Sequence, residues 1–216
     1  MYVSMKKKLR IHTVKHPLIS SSLTVLRRKE TQTEEFRKHA GTVSKILLLE
    51  SLKGLRVKRI RIETPLSPAS GSQLTDDVVV VPVLRAGLAM LFALSDILPQ
   101  VAVGFVGLER DEKTAIAREY YRKLPRLFST SRVIILDPML ATGGSFDDTI
   151  TLLKEKGARK MTLVCVVAAP EGLRRIGEKH PDVQVYTAAI DDHLNDRKFI
   201  VPGLGDFGDR YFGTDG

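Results

Sequence analysis

The chain is poor in cysteine and aromatics and has no tryptophan: 1 Cys, 5 Tyr and 8 Phe among 216 residues. A single cysteine excludes an internal disulfide framework. That residue, Cys165, lies inside the apolar run LVCVVAA and reads as a core position rather than a reactive thiol. No apolar run approaches the roughly 18 residues that a membrane-spanning helix needs. The opening MYVSMKKKLR carries charge with no apolar stretch behind it, so it does not read as a secretory signal. These absences predict a cytoplasmic protein with no membrane contact. The formal charge is +9, from 34 basic and 25 acidic residues, which suits a nucleic acid or a polyanionic small molecule. The excess lies partly in Lys6, Lys7, Lys8 and Arg10, partly in LRVKRIRI (Leu55 to Ile62). No aromatics interleave with these charges, so no base-stacking platform is visible and nucleic acid is the less expected partner.

The order of apolar and polar segments is more informative. Residues 1–30 read as a polar, basic arm with a turn at KHPL (Lys15 to Leu18). Thr33 to Leu52 reads as a helix capped by Thr33, with Val43, Ile46, Leu47 and Leu49 as an apolar stripe and Gly54 as a stop. Leu55 to Glu63 alternates as a strand with one solvated face, and Thr64 to Ser72 reads as a Pro/Ser/Gly loop. From Val78 onward, apolar strands alternate with helical sequence. The strands are Val78 to Leu84, Val101 to Leu108, 132–137, Met161 to Ala169 and Val183 to Ile190. The helices are Gly87 to Leu98, 145–156 and Pro170 to His180. This alternation predicts an α/β fold with a parallel sheet covered on both faces. Pro82, inside the first of these strands, points to an edge or distorted position. The charged stretch from Glu109 to Pro125 is a long excursion between strands; Tyr120, Tyr121 and Lys123 favour a docking lid over a solvated hairpin.

Ligands of open parallel sheets sit beyond the C-terminal strand ends. The run RVIILDPMLATGGS (Arg132 to Ser145) places Asp137 at such an end, then Ala141, Thr142, Gly143, Gly144 and Ser145 in a turn entering a helix. Backbone N–H groups there, together with the helix dipole, make a phosphate cradle, and the neighbouring acid suits sugar hydroxyls or a metal. No Lys follows the glycines, so this is not a P-loop ATPase motif. Arg85 and Arg110 lie at the ends of two other strands and offer guanidinium groups to a second anion. GLGDFG (Gly203 to Gly208) spells GxGxxG, but the chain ends too soon for the helix and strand that a dinucleotide fingerprint requires. Its glycines read instead as a loop whose backbone contacts a ligand. Asp191, Asp192 and His193 read as a polar loop rather than a metal site. Phe207, Tyr211 and Phe212 anchor the tail.

These blocks together resemble the uracil phosphoribosyltransferase family over nearly the whole chain. The carriers are KHPL, VPVLRAGLAM (Val81 to Met90), ILDPMLATGGS (Ile135 to Ser145), AAPEGL (Ala168 to Leu173), HPDVQVYTAAID (His180 to Asp191) and FIVPGLGDFGDRYFGT (Phe199 to Thr214). The resemblance implies a type I phosphoribosyltransferase fold: a mostly parallel sheet flanked by helices, with a β-hairpin/lid excursion and a C-terminal hood. The expected organisation is a single domain over 1–216, with an N-terminal helical/arm region over 1–75, a core over 76–190 and a base-binding hood over 191–216. The implied reaction joins uracil to 5-phosphoribosyl-1-diphosphate (PRPP), giving UMP and diphosphate, with Mg2+ held mainly through PRPP. The implied PRPP contacts are Arg85, Arg110, Asp137, Pro138, Met139, Leu140, Ala141, Thr142, Gly143, Gly144, Ser145 and Asp206. Arg85, Arg110 and Asp137 would carry the catalysis. The implied uracil contacts are Ile200, Gly205, Asp206 and Phe207. A homodimer or larger homo-oligomer and GTP activation are implied by some family members. Two departures stand out: Phe207 replaces a common Ala beside the base, and the lid has Glu109 for a Tyr and no proline over Ala115 to Glu119. Two other readings stay open: a different base acceptor on the same scaffold, and an RNA-binding regulator built on it.

Overall fold

The computed structural model describes residues 8–110 and 117–214, with the side chains of residues 109, 110, 117 and 118 outside that description. In chain order the elements are β1 (Arg10–Thr13), α1 (Pro17–Arg27), α2 (Thr33–Leu52), β2 (Val57–Glu63), β3 (Pro68–Leu74), β4 (Val78–Leu84), α3 (Leu88–Ser95), β5 (Ala102–Val103), β6 (Phe105–Arg110), β7 (Ala117–Lys123), β8 (Arg132–Leu136), β9 (Met139–Leu140), α4 (Gly144–Glu155), β10 (Lys160–Ala168), α5 (Pro170–Lys179), β11 (Gln184–Ile190), β12 (His193–Leu194), β13 (Ile200–Val201) and α6 (Phe207–Phe212). None of these helices is long and apolar enough to cross a membrane.

The continuous apolar runs became interior strands, because only a sheet covered on both faces buries every residue of such a run. The order across the sheet is β1-β11-β10-β8-β4-β6-β7, parallel except for the β6–β7 hairpin. Adjacent residues point to opposite faces. Val80, Ile134 and Val164 pack with Leu26, Phe36, Leu47 and Met90 of α1, α2 and α3. Val79, Ile135 and Leu163 pack with Ile150, Leu153 and Ile176 of α4 and α5. Each such aliphatic side chain contributes about 1.5–3 kcal/mol on burial.

The chain runs from β4 outward to β6, then returns to the other side of β4 to lay down β8, β10 and β11. The strand order therefore reverses between β4 and β8. In open α/β sheets the crevice beyond the strand ends at this reversal is where ligands sit. Arg85 follows β4 and Asp137 follows β8, so both expected residues flank it.

Several expectations need correction. Residues 1–30 hold a strand and a helix: β1 pairs with β11, and α1 opens at Pro17 with the His16 ring accepting from Leu18 N–H. Gln32, not Thr33, caps α2, and without a side-chain hydrogen bond. Thr64 to Ser72 is not all loop, since β3 pairs antiparallel with β2. Both faces of β2 are largely exposed, so its alternation marks a projecting hairpin rather than a half-buried strand. The strand expected over Val101 to Leu108 is broken at Gly104 into β5 and β6. Pro82 is buried in the interior strand β4. The Val80 carbonyl accepts from Gly104 N–H, so Pro82, two residues on, faces the same side, where the neighbouring strand is interrupted. The 109–125 excursion, by contrast, is the β-hairpin that the resemblance implies, extending the sheet, with Tyr120 and Tyr121 about half exposed on it; residues 111–116 lie outside the described residues.

Candidate active site

The phosphate-cradle expectation rests on a turn whose geometry can be followed residue by residue. Asp137 ends β8, and one of its carboxylate oxygens accepts from Met139 N–H at 3.2 Å. Pro138 and Leu140 are buried, and their carbonyls accept from Val166, Val167 and Ala169, so these two residues fasten the turn to β10. Gly143 caps α4 with φ +77°, a conformation that favours glycine. A Cβ on Gly143 would also stand 3.1 Å from the Gly172 carbonyl, and one on Gly172 only 2.4 Å from the Ala141 carbonyl. The turn therefore lies directly against the start of α5, and bulk on either side would push it out of place.

α5 also braces the start of α4 electrostatically. Asp147, in the first turn of α4, is buried. Its Oδ2 accepts from Arg175 at 2.8 and 2.9 Å and from Lys179 at 2.6 Å, and its Oδ1 lies 3.0 Å from His180 Nε2. Burial alone would raise this carboxyl's pKa. The Lys179, Arg175 and His180 hydrogen bonds outweigh that and hold it below the ordinary carboxylate range. An acid that would otherwise repel a phosphate at the helix N-terminus is thereby neutralised.

Asp137, Ala141 and Ser145 open on a cavity of about 510 Å³. Across it stand Ile200, Gly205, Asp206 and Phe207, all four expected uracil contacts. Thr142, Gly143 and Gly144 continue the turn beside it. The structure thus brings the cradle and the C-terminal loop to one cavity, although more than 50 residues separate them in sequence. Phe207 is 1% exposed, with its ring edge-on to Phe36 at 5.1 Å and stacked on Tyr211 at 6.0 Å. Its side chain is committed to the core, and only its backbone is left to face a base. Arg85 is not on the lining but follows β4 beside the lining residue Ala86, exposed and 3.3 Å from Asp209. Arg110 ends β6, but its side chain lies outside the described residues.

Five residues lining the cavity were missed: Ala86, Arg197, Lys198, Phe199 and Gly208, of which Arg197 and Lys198 carry charge. Arg197 and Lys198 line it from the β12–β13 turn, where Lys198 adopts φ +65°. The basic pair in LNDRKFI, next to Ile200, was the available signal. The β12 end of this wall is tied to α5, because Glu171 accepts from Leu194 N–H at 3.0 Å. Asp191 is engaged by Arg27, as befits a structural loop residue. Cys165 is buried between strands; burial pushes its thiol pKa up to about 12, in keeping with a core role. Among the described residues no group of three or more His, Cys, Asp or Glu could hold a metal ion. Asp137 and Asp206 are the carboxylates on the cavity lining.

Comparison with known proteins agrees with this geometry. The family model described as uracil phosphoribosyltransferase matches residues 13–214. Uracil phosphoribosyltransferases from Dictyoglomus thermophilum and Campylobacter concisus are 48% and 45% identical to this chain. The alignments cover 93% and 94% of this chain and 98% of each relative. Among solved structures, the AQ2163 protein from Aquifex aeolicus superposes with a TM-score of 0.89 at 37% identity, over 94% of this chain and 97% of that one. The APRTase from Giardia lamblia, at 14% identity and a TM-score of 0.51, shares the fold. The fold is that of the type I phosphoribosyltransferases, and the chain belongs to the uracil phosphoribosyltransferase family.

Proposed function

We propose that the cavity beyond β4 and β8 joins uracil to PRPP, giving UMP and diphosphate, in pyrimidine salvage. The observation that carries this reading is the meeting of Asp137, Ala141 and Ser145 with Ile200, Gly205, Asp206 and Phe207 around one cavity. The 5′-phosphate sits on the amides and hydroxyls of Ala141 to Ser145 at the N-terminus of α4. The Asp137 carboxylate accepts from the ribose hydroxyls. Backbone groups at Ile200, Gly205, Asp206 and Phe207 read the edge of the base, which explains a glycine-rich loop in place of polar side chains. Asp206 also faces the PRPP side.

In the reaction the N1–C1′ bond forms, the bond from C1′ to the diphosphate oxygen breaks, and uracil gives up its N1 proton. Positive charge grows on the ribose and negative charge on the leaving group. In this reading Arg85 and Arg110 are the donors that meet that negative charge, and a preorganised donor there lowers the barrier. Arg197 and Lys198 add positive potential at the same cavity. Mg2+ would be held chiefly by substrate oxygens and water, with Asp137 and Asp206 the carboxylates on the lining able to reach it. Bound that way, the ion neutralises diphosphate charge.

A second copy of this chain is the partner expected for the β2–β3 hairpin. An isolated two-stranded hairpin is marginal alone, and this one exposes Val57, Ile62, Leu66 and Leu74. Calorimetric titration with PRPP and Mg2+ tests the site. Wild-type protein should bind and Asp137→Asn should bind about tenfold or more weakly, the scale of losing a hydrogen bond to a charged group. Equal affinity would contradict the role of Asp137. Adding GTP to the UMP-forming assay tests activation by that nucleotide, and sedimentation of wild-type protein reads the oligomer.

A further inference from the structure

Two arginines that the substrate reading leaves unused hold the base-reading loop from behind. Arg27, the last residue of α1, forks onto Asp191 at 2.6 and 2.8 Å, and its Nη1 also donates to the Gly203 carbonyl at 2.7 Å. Asp191, with a side chain only 4% exposed, accepts from Gly203 N–H at 3.0 Å. Both backbone groups of Gly203 are thereby fixed. Arg210, from α6, donates to the Leu204 carbonyl at 2.7 Å and the Arg28 carbonyl at 2.6 Å, and also to the Leu26 carbonyl. The Leu26 and Arg28 carbonyls belong to the C-terminal end of α1, where the helix itself leaves acceptors unfilled. The Arg210 guanidinium lies over the Phe36 ring, 4.5 Å from its centroid, and a Cβ on Gly205 would stand 3.4 Å from Arg210 Cδ. Neither arginine lines the cavity.

We infer that Arg27 and Arg210 are positioning residues for the base: they pin the 203–205 peptides to the end of α1, so that the amides of Gly205, Asp206 and Phe207 meet uracil at a fixed spacing. A loop that recognises a flat base through its backbone has no side chain with which to adjust. It also contains Gly203 and Gly205, both at positive φ, and glycine is the residue that most readily leaves such a conformation. The planar fork of Arg reaches several carbonyls at once, and a lysine ammonium does not reproduce that arrangement. This inference rests on the proposed placement of uracil on the 204–207 loop.

The two are tested separately. Amide hydrogen exchange on wild-type protein, with and without UMP, should protect residues 204–207; no protection there would overturn the placement itself. Arg27→Lys and Arg210→Lys, which keep the charge, should then raise the KM for uracil about tenfold while the KM for PRPP and kcat stay within about twofold, as expected when uniform binding of one substrate is lost. The preference for uracil over cytosine should fall with it. A merely structural role would lower Tm and leave the uracil-to-cytosine ratio unmoved. If UMP protects the loop but uracil KM is unchanged, or rises only in parallel with that for PRPP, the positioning role is overturned. Should Arg210→Lys fail to fold, Arg27→Lys decides by the same criterion.

Discussion

At the scale of single residues, groups of similar charge do different work. Arg85 is exposed and makes one long contact, 3.3 Å, to Asp209. Exposed pairs of this kind add little stability, so its place at the reversal of strand order is better explained by the substrate. Arg85→Ala should lower kcat/KM about 10²-fold or more, the scale of removing one preorganised donor, with Tm close to wild type. Near-wild-type turnover would remove Arg85 from the mechanism. Cys165 should not react with an aromatic disulfide reagent until the chain unfolds, because its thiolate is scarce below about pH 12 and the side chain is buried. Rapid native labelling would contradict that. Asp137 and the Ala141 to Ser145 turn were legible in sequence because a strand, an acid and a glycine turn have local signatures. The direction of the Phe207 ring was not, since it is set by Phe36 and Tyr211, and one of these comes from an element about 170 residues away.

At the scale of elements, the brace between α4 and α5 carries a pH dependence whose sign follows from Asp147. Its carboxyl is held below its ordinary value in the folded chain. The unfolded chain therefore takes up the proton first as pH falls, and the stabilisation present above the unfolded value, about pH 4, is lost as pH falls through the folded one. Asp147→Asn should cost about 1–3 kcal/mol near neutrality, and the gap from wild type should close in acid. A gap that stays constant down to pH 2 would contradict the assignment. α2, α4, α5 and the long strands were legible because each shows its period over many residues. α1 was not. Its buried face, Ile19, Ser22, Leu23 and Leu26, includes a serine, and its exposed face is serine-rich, so PLISSSLTVLR hides its helical stripe. β1 has four residues, mostly exposed, and is a strand only because β11 offers it an edge. Isolated pairing of that kind leaves no periodic trace.

At the scale of the whole molecule, the alternation of strands and helices gave the fold class, but the order of strands across the sheet came from the structure. That order puts the reversal between β4 and β8 and so turns two strand ends into one cleft. The C-terminal loop lines the same cleft, and Arg27 and Arg210 tie it to α1, a helix at the other end of the sequence. The +9 charge is compatible with the alternative of an RNA-binding regulator, while a cavity lined by Asp137 and Asp206 beside the basic Arg197 and Lys198 suits a small polyanion with hydroxyls. The most direct test is product formation by the purified chain with PRPP and Mg2+, offered uracil, cytosine, hypoxanthine or orotate in turn. UMP and diphosphate in equal amounts are expected from uracil, and far less nucleotide from each of the other three bases. No UMP, or a nucleotide formed as readily from another base, would contradict the proposed function.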